Sequence, residues 1–348
     1  MKRKLDFIEN LKTAILVVLF LITILLLYLS YNQDGSSFSL EEILPGGRSS
    51  QVSIDVDEYL APSYTIKVGE NGHYLITYKN QIKAFEVASE CAQSLLSASN
   101  IEISEISEEA YNLVCRDINS VQLIFDYDFP FDDYCKKILG KTIKRPDNLN
   151  GFRSLLFSDQ IKSDLYMRNM AGNCFKISVA ENYYSTEALS RVLNFDGGEI
   201  RFMDIYELGF KSIGDDIVIA WDEIPERIFG DTLDFVRKIT DGQGNETYMY
   251  GYGQKRLSIN ESSGFEYKCD ITGTNTPDFY TDLEVALKFI KEKLDVSEDL
   301  IKIKTVSTID DEGVILNHFI FDTDGYAIEA EVKAEDISYF KITNQEAL

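Results

Sequence analysis

Two histidines serve all 348 residues, a single tryptophan supplies the only indole, and the five cysteines include no CxxC pair. Metal centres and base-assisted nucleophiles draw on clustered His and Cys side chains. Here His73 and His318 each sit inside an alternating strand pattern, far apart in the chain and without partners. Cys91, Cys115, Cys135, Cys174 and Cys269 are odd in number and widely spread, which suits small buried side chains better than a disulfide framework. No Walker loop, dinucleotide fingerprint, HExxH or GxSxG occurs.

Positive charge is also scarce. The chain has 34 Lys and Arg against 58 Asp and Glu, and outside residues 1–12 the balance is 30 to 56. Such a surface repels nucleic acid and anionic head groups, so no nucleic-acid partner is expected. Carboxylates are so common that their spacing says little. Asp126, Asp128, Asp132 and Asp133 contain candidate glycosidase pairs, but one tryptophan leaves a sugar without stacking platforms. The nearest approach to a metal motif is "DTDGYAIEAE". Setting Gly325 as the turn glycine of an EF-hand places Asp322, Asp324 and Glu331 on ligand positions, yet position one is Ile320 and the flanks read as strands. An Asp-Gly hairpin turn accounts for the same residues. "DGQGN", Asp241 to Asn245, reads as a turn between a helix and a strand. No catalytic residue, metal ligand or cofactor is expected.

What the chain does have is one long apolar run, "LKTAILVVLFLITILLLYLSY". From Thr13 to Tyr31 it carries no charge, and a helix of that length rises roughly 28 Å, enough to cross a bilayer core. The run ends Leu29-Ser30-Tyr31-Asn32, without the small residues of a signal-peptidase site, so it reads as a retained anchor. Lys2, Arg3, Lys4 and Lys12 precede it, while Asp34, Glu41 and Glu42 follow, which places the N-terminus in the cytoplasm and the bulk of the chain outside. Leu16, Phe20, Thr23, Leu27 and Ser30 share one helical face. Its hydroxyl groups mark it as a candidate surface for a partner helix within the membrane.

Beyond the anchor, 45% apolar and 12% aromatic content over the chain is ample for folded α+β structure. The expected organisation is a cytoplasmic tail (1–12), the membrane helix (13–31) and a Gly/Ser/Pro linker (32–50). An N-terminal α+β domain (51–147), a central mostly β domain (148–226) and a C-terminal α+β domain (227–348) follow. "VSIDV", "SYTIKV" and "HYLITYKN" read as strands, and residues 82–96 as an amphipathic helix. A further helix is expected near 185–193, another over 230–239, and a last one where Leu283, Ala286, Leu287, Ile290 and Leu294 form a stripe capped by Asp282. Four strands close the chain.

This arrangement resembles the YycH regulatory proteins of low-GC Gram-positive bacteria. The resemblance rests on the basic tail and "ENLKTAILVVLFLITILLLYLSY", on "YLAPSYTIKVGENGHYLITY", and on the terminal "GFEYKCDI…TDLEVALKFIKEKL…IKIKTVSTI…VILNHFIFDTDGYAIEAEV" unit, which is similar to the domain YycH shares with its companion YycI. The resemblance implies a non-enzymatic, single-pass accessory protein that controls the WalK (YycG) sensor histidine kinase of cell-wall homeostasis, with a YycI-like companion and contacts within the membrane. An anchored cell-envelope hydrolase and a structural or sporulation-envelope scaffold are the competing expectations.

Overall fold

The computed structural model describes residues 54–180 and 219–345 except 71, 261, 274–275, 295, 297–299, 312–313 and 324, and between those stretches residues 184, 187, 189, 191, 199 and 200. The apolar run at 13–31, its face of Leu16, Phe20, Thr23, Leu27 and Ser30, and the linker lie outside the described residues, as does most of the helix expected near 185–193. Among the described residues no helix is long and apolar enough to cross a membrane. Residues 53–348 form one compact α+β unit in which every described strand pairing is antiparallel.

The described part of "VSIDV", from Ile54 to Val56, does not form a strand. Asp55 Oδ1 accepts the Asp57 N–H at 3.1 Å and starts helix α1, Val56–Leu60, with Asp57 and Glu58 at the end that the helix dipole makes positive. The hairpin β1, Tyr64–Val68, and β2, Tyr74–Thr77, follows as expected. Helix α2, Gln81–Leu96, then buries Ala84, Phe85, Ala88, Cys91, Ala92, Leu95 and Leu96, a stripe at helical spacing. Next come β3, Ile101–Ile106, and α3, Glu108–Val114, capped by the Ser107 hydroxyl. Strand β4, Val121–Pro130, leads into α4, Phe131–Leu139, which stops at Gly140 with φ of 69°. Strands β5, Gly151–Phe157, β6, Asp164–Arg168, β7, Cys174–Val179, and β8, Glu199–Ile200, complete the first sheet, whose order is β3-β7-β6-β5-β4-β1-β2-β8.

The second sheet is entered through α5, Ile224–Phe229, and a 3-10 turn, Gly230–Phe235. The helix expected over 230–239 is absent. Gly230 ends α5 with φ of 51°, and the segment rich in β-branched residues beyond it is claimed by the ladder as β9, Arg237–Thr240. Strands β10, Glu246–Tyr250, β11, Lys255–Asn260, and β12, Gly264–Cys269, meander inward, so the Asp241–Asn245 turn joins two strands. Helix α6, Phe279–Leu294, crosses to the far edge, and β13, Lys302–Asp311, β14, Val314–Asp322, β15, Tyr326–Lys333, and β16, Asp336–Asn344, return. The order is β13-β14-β15-β16-β12-β11-β10-β9. In both sheets a 16-residue helix carries the chain from a hairpin side to the opposite edge.

The boundary expected at 147–148 falls between β4 and β5, which are hydrogen-bonded neighbours, so those two segments build one layer. The boundary at 226–227 falls inside α5, after which all strands belong to the second sheet. One apolar cluster runs through both sheets. At its centre Phe129, fully buried, lies within 6 Å of the rings of Phe85, Phe125, Tyr127, Tyr134 and Phe152, and 5.8 Å from Phe279 of α6. Tyr280 adds a hydrogen bond from its hydroxyl to the Asp133 carbonyl, 3.2 Å. Lys137 pairs with Asp57 and sits 5.0 Å from the Tyr280 ring, tying α1, α4 and α6 together.

Helix α6 is capped by Asp278, whose Oδ1 accepts the Thr281 N–H at 2.9 Å. Asp282, expected as the cap, is instead buried in the first turn, where Asn317 Nδ2 donates to its Oδ2 at 2.8 Å. Burial pushes the Asp282 carboxyl up to about 6, opposed by the Asn317 bond and reinforced by Asp278 and Glu335. The unfolded carboxyl releases its proton near pH ~3.9. Folding therefore takes up a proton between these values, stability falls as pH rises through that window, and the deficit persists above it.

Two outcomes follow from this packing. Asp282→Asn should match the wild type near pH 4 and exceed it at pH 7.5 by on the order of 1–2 kcal/mol, after solvent screening. Thermal melts at both pH values test this, and a difference independent of pH would refute the buried-acid account. Gly264, at φ of 130°, faces β16 so closely that an added Cβ would lie 1.9 Å from the Ile342 carbonyl oxygen. Gly264→Ala should cost about 3 kcal/mol or more. Urea unfolding followed by Trp221, whose ring centroid is 6.4 Å from that of Phe265, reads this directly.

Candidate interaction surfaces

Most of the side chains weighed for chemistry are spread over the two sheets, while the β14–β15 register sets His318 directly opposite Glu331. His73 lies in the β1–β2 turn of the first sheet, where its carbonyl accepts the Gly69 N–H at 2.9 Å. His318 lies in β14 of the second sheet, with its Nδ1 3.4 Å from Ser307 Oγ. Asp128 accepts the Met170 N–H at 2.8 Å, and Asp132 takes both Nε and Nη2 of Arg145 at 3.1 and 2.9 Å. Asp133 pairs with Lys136 at 3.0 Å. Asp322 accepts from Gln345 Nε2 at 2.6 Å, while Glu331 stands opposite His318 and Tyr339 on β15. Asp324 is outside the described residues. The β14–β15 pairing around Gly325, φ 88°, is the hairpin expected there. Among the described residues no group of His, Cys, Asp and Glu is arranged to hold a metal ion.

All five cysteines are free thiols and all but Cys269 are buried. Burial pushes Cys135 up to about 12 and Cys174 up to about 11, the opposite of what a nucleophilic thiolate needs. A buried polar cluster of the first sheet is likewise committed. Gln122 Nε2 donates to Ser154 Oγ at 2.7 Å and to the Tyr111 hydroxyl at 3.1 Å, fixing α3 against β4 and β5.

Two surfaces remain. One is a cleft of about 400 Å³ between the start of β13 and the α1–β1 and β2–α2 connections, lined by Tyr59, Tyr78, Ile82, Asp126, Tyr127 and Lys302. Gln81 also reaches it, but its amide is spent on Thr65 Oγ1 at 2.7 Å and the Thr77 carbonyl at 2.9 Å. The other is the outer face of the second sheet. Cross-strand register aligns Arg237, Met249, Arg256, Lys268, Tyr339, Glu331, His318 and Ser307 in one row from edge to edge. Directly opposite residues share a face, so the β9–β12 half of this row is cationic in a chain of net charge −24.

At the β9 end of that face stand two strongly exposed aromatic rings. Phe235 is 79% exposed, and Tyr252, at the tip of the Gly251-Tyr252-Gly253 turn between β10 and β11, is fully exposed. Phe235 ends the 3-10 turn that leads into β9, two residues before Arg237. Tyr252 has φ of 59° and ψ of 26°, a left-handed conformation that costs a side chain about 1–2 kcal/mol. The sequence reading passed over both rings, although a tyrosine between two glycines beside a strand pattern was the available signal.

No family model matches the chain, and neither a curated protein nor a solved structure is similar to it. The strain at Tyr252 gives a direct check on its role. Tyr252→Gly should raise stability by about 1 kcal/mol, because glycine adopts this conformation freely and the ring buries nothing. A loss of stability in a urea titration would instead make the ring a packing element.

Proposed function

We propose that the chain is a membrane-anchored, extracytoplasmic regulatory protein that modulates a cell-envelope sensor histidine kinase of the WalK (YycG) type. It acts by protein contacts, those of the membrane helix included, alongside a YycI-like companion. The observation that carries this reading is the uncharged run from Thr13 to Tyr31, with Thr23 and Ser30 on one face, joined to a large folded body. The commitment of Asp128, Asp132 and Asp133 to separate structural bonds and the burial of four of the five thiols add support. The N-terminus lies in the cytoplasm, one helix meets the lipid, and the C-terminal sheet and α6 correspond to the YycI-like unit.

The mechanism is a population shift. Contacts along the membrane helix and outer body bind one signalling state of the kinase better than the other, and the response is bounded by that difference in affinity. Full reversal of a 1:99 equilibrium needs roughly a 10⁴-fold preference, whereas partial modulation needs far less.

Full-length protein should co-purify with an envelope sensor kinase. Replacing residues 13–31 by an unrelated span should reduce recovery by at least tenfold while the outer body stays folded. An unchanged complex moves recognition to the outer body. Absence of any kinase, with turnover of cell-wall glycans or with self-assembly, would replace this reading by the anchored hydrolase or the scaffold.

A further inference from the structure

We propose that the open edge of β9 and the cationic outer face beside it dock an extended acidic segment of a partner protein, which adds a strand to the second sheet. The inference stands apart from the identity of the partner met by the membrane helix.

The backbone supports it first. The Asp241 N–H donates to the Asn245 carbonyl at 3.0 Å, which makes Asp241 a position whose main chain faces β10, while the Asn245 N–H is taken by Asp241 Oδ1. Alternation then gives Ile239 and Arg237 to β10 and turns the N–H and C=O of Lys238 and Thr240 toward the open side. All four β9 residues are exposed, and among the described residues no strand pairs with that side. Main-chain groups of this kind are what strand addition uses for affinity, while alternate side chains set specificity.

The side chains choose the occupant. Arg237, Arg256 and Lys268 lie in one outer row with Met249 between the first two. Lys268 is engaged with Glu266 at 2.7 Å, whereas Arg237 and Arg256 are exposed and form no ion pair among the described residues. Glu246, the nearest carboxylate on β10, is taken by Lys238 at 2.6 Å on the opposite, core-side face. An incoming strand with carboxylates on its outer face would set them beside Arg237, with Ile239 on that same face and Arg256 two strands further in, while its other face would meet Lys238 and Thr240. Charge on an edge strand also guards against self-pairing. A second β9 would bring Arg237 and Lys238 into one short ladder with their own copies, so the same charges that repel a copy admit an acidic strand.

The test uses the full-length chain in detergent and a capped, fluorescein-labelled heptapeptide alternating glutamate with valine. Saturable binding is expected, weakening with salt, at least tenfold tighter than for the lysine-for-glutamate peptide and for an acidic peptide interrupted by proline. Arg237→Glu should weaken binding at least tenfold. Thr240→Pro, which removes an outward donor and leaves the β10 ladder intact, should do the same. Melting temperature and circular dichroism verify that both variants are folded. Undetectable binding, equal affinity for the acidic and basic peptides, or folded variants that bind like the wild type would each overturn the proposal. So would self-association of the wild type that Thr240→Pro abolishes, which would make a second copy the occupant.

Discussion

The folded body depends on one ring. Phe129 sits where β4 departs from its register with β5, between Ile124 and its own pairing to Phe152. The ordinary alternation of a strand points Phe125, Tyr127 and Phe129 into a common interior, while the Asp126 and Asp128 between them stay less buried. Phe129 stacks on Phe152 with an interplanar angle of 8° and reaches Phe279 at the start of α6. A sheet of the first half and a helix of the second are therefore packed through the same side chain. Aromatic clusters of this density bury large areas and favour one arrangement of rings over others, which is why the two sheets form one unit rather than two domains on a string.

Local patterns carried much of this fold. Helices α2 and α6 were visible because their apolar stripes extend over four turns, and the β1–β2 and β14–β15 hairpins because their turns carry Asn71-Gly72 and Gly325. What failed was short. In α1 a single aspartate cap overrode an alternating pattern, and in β9 four residues took their conformation from a neighbour across the ladder. The alignment of β4 with β5 lay beyond reach for a related reason, since strand order is decided between segments distant in sequence. No window along the chain contains it.

The candidate surface was less legible than the fold. Arg237, Arg256 and Lys268 are unremarked in the sequence because nothing in their spacing joins them; only cross-strand register does. The membrane face is the opposite case. Its residues were picked out entirely by periodicity, and it lies outside the described residues. The surface proposed on the run at 13–31 thus comes from sequence periodicity alone, and the one proposed on the sheet exists only once three strands have been laid side by side.

Gly264 has a kinetic meaning as well as a steric one. Among the described residues the hydrogen-bonded ladder joins the halves β9–β12 and β13–β16 only through β12 against β16, beginning at the Gly264–Thr343 pair. Until residues 336–344 have been made and delivered, β12 and β15 are both raw edges, and the second sheet waits as two unjoined meanders. Long-range closure of this sort slows folding more than it changes the final stability. For a chain delivered from its N-terminus, the first sheet can finish early while the second stays open until the last strand arrives. That interval is when the protein is most in need of protection from pairing with the wrong neighbour.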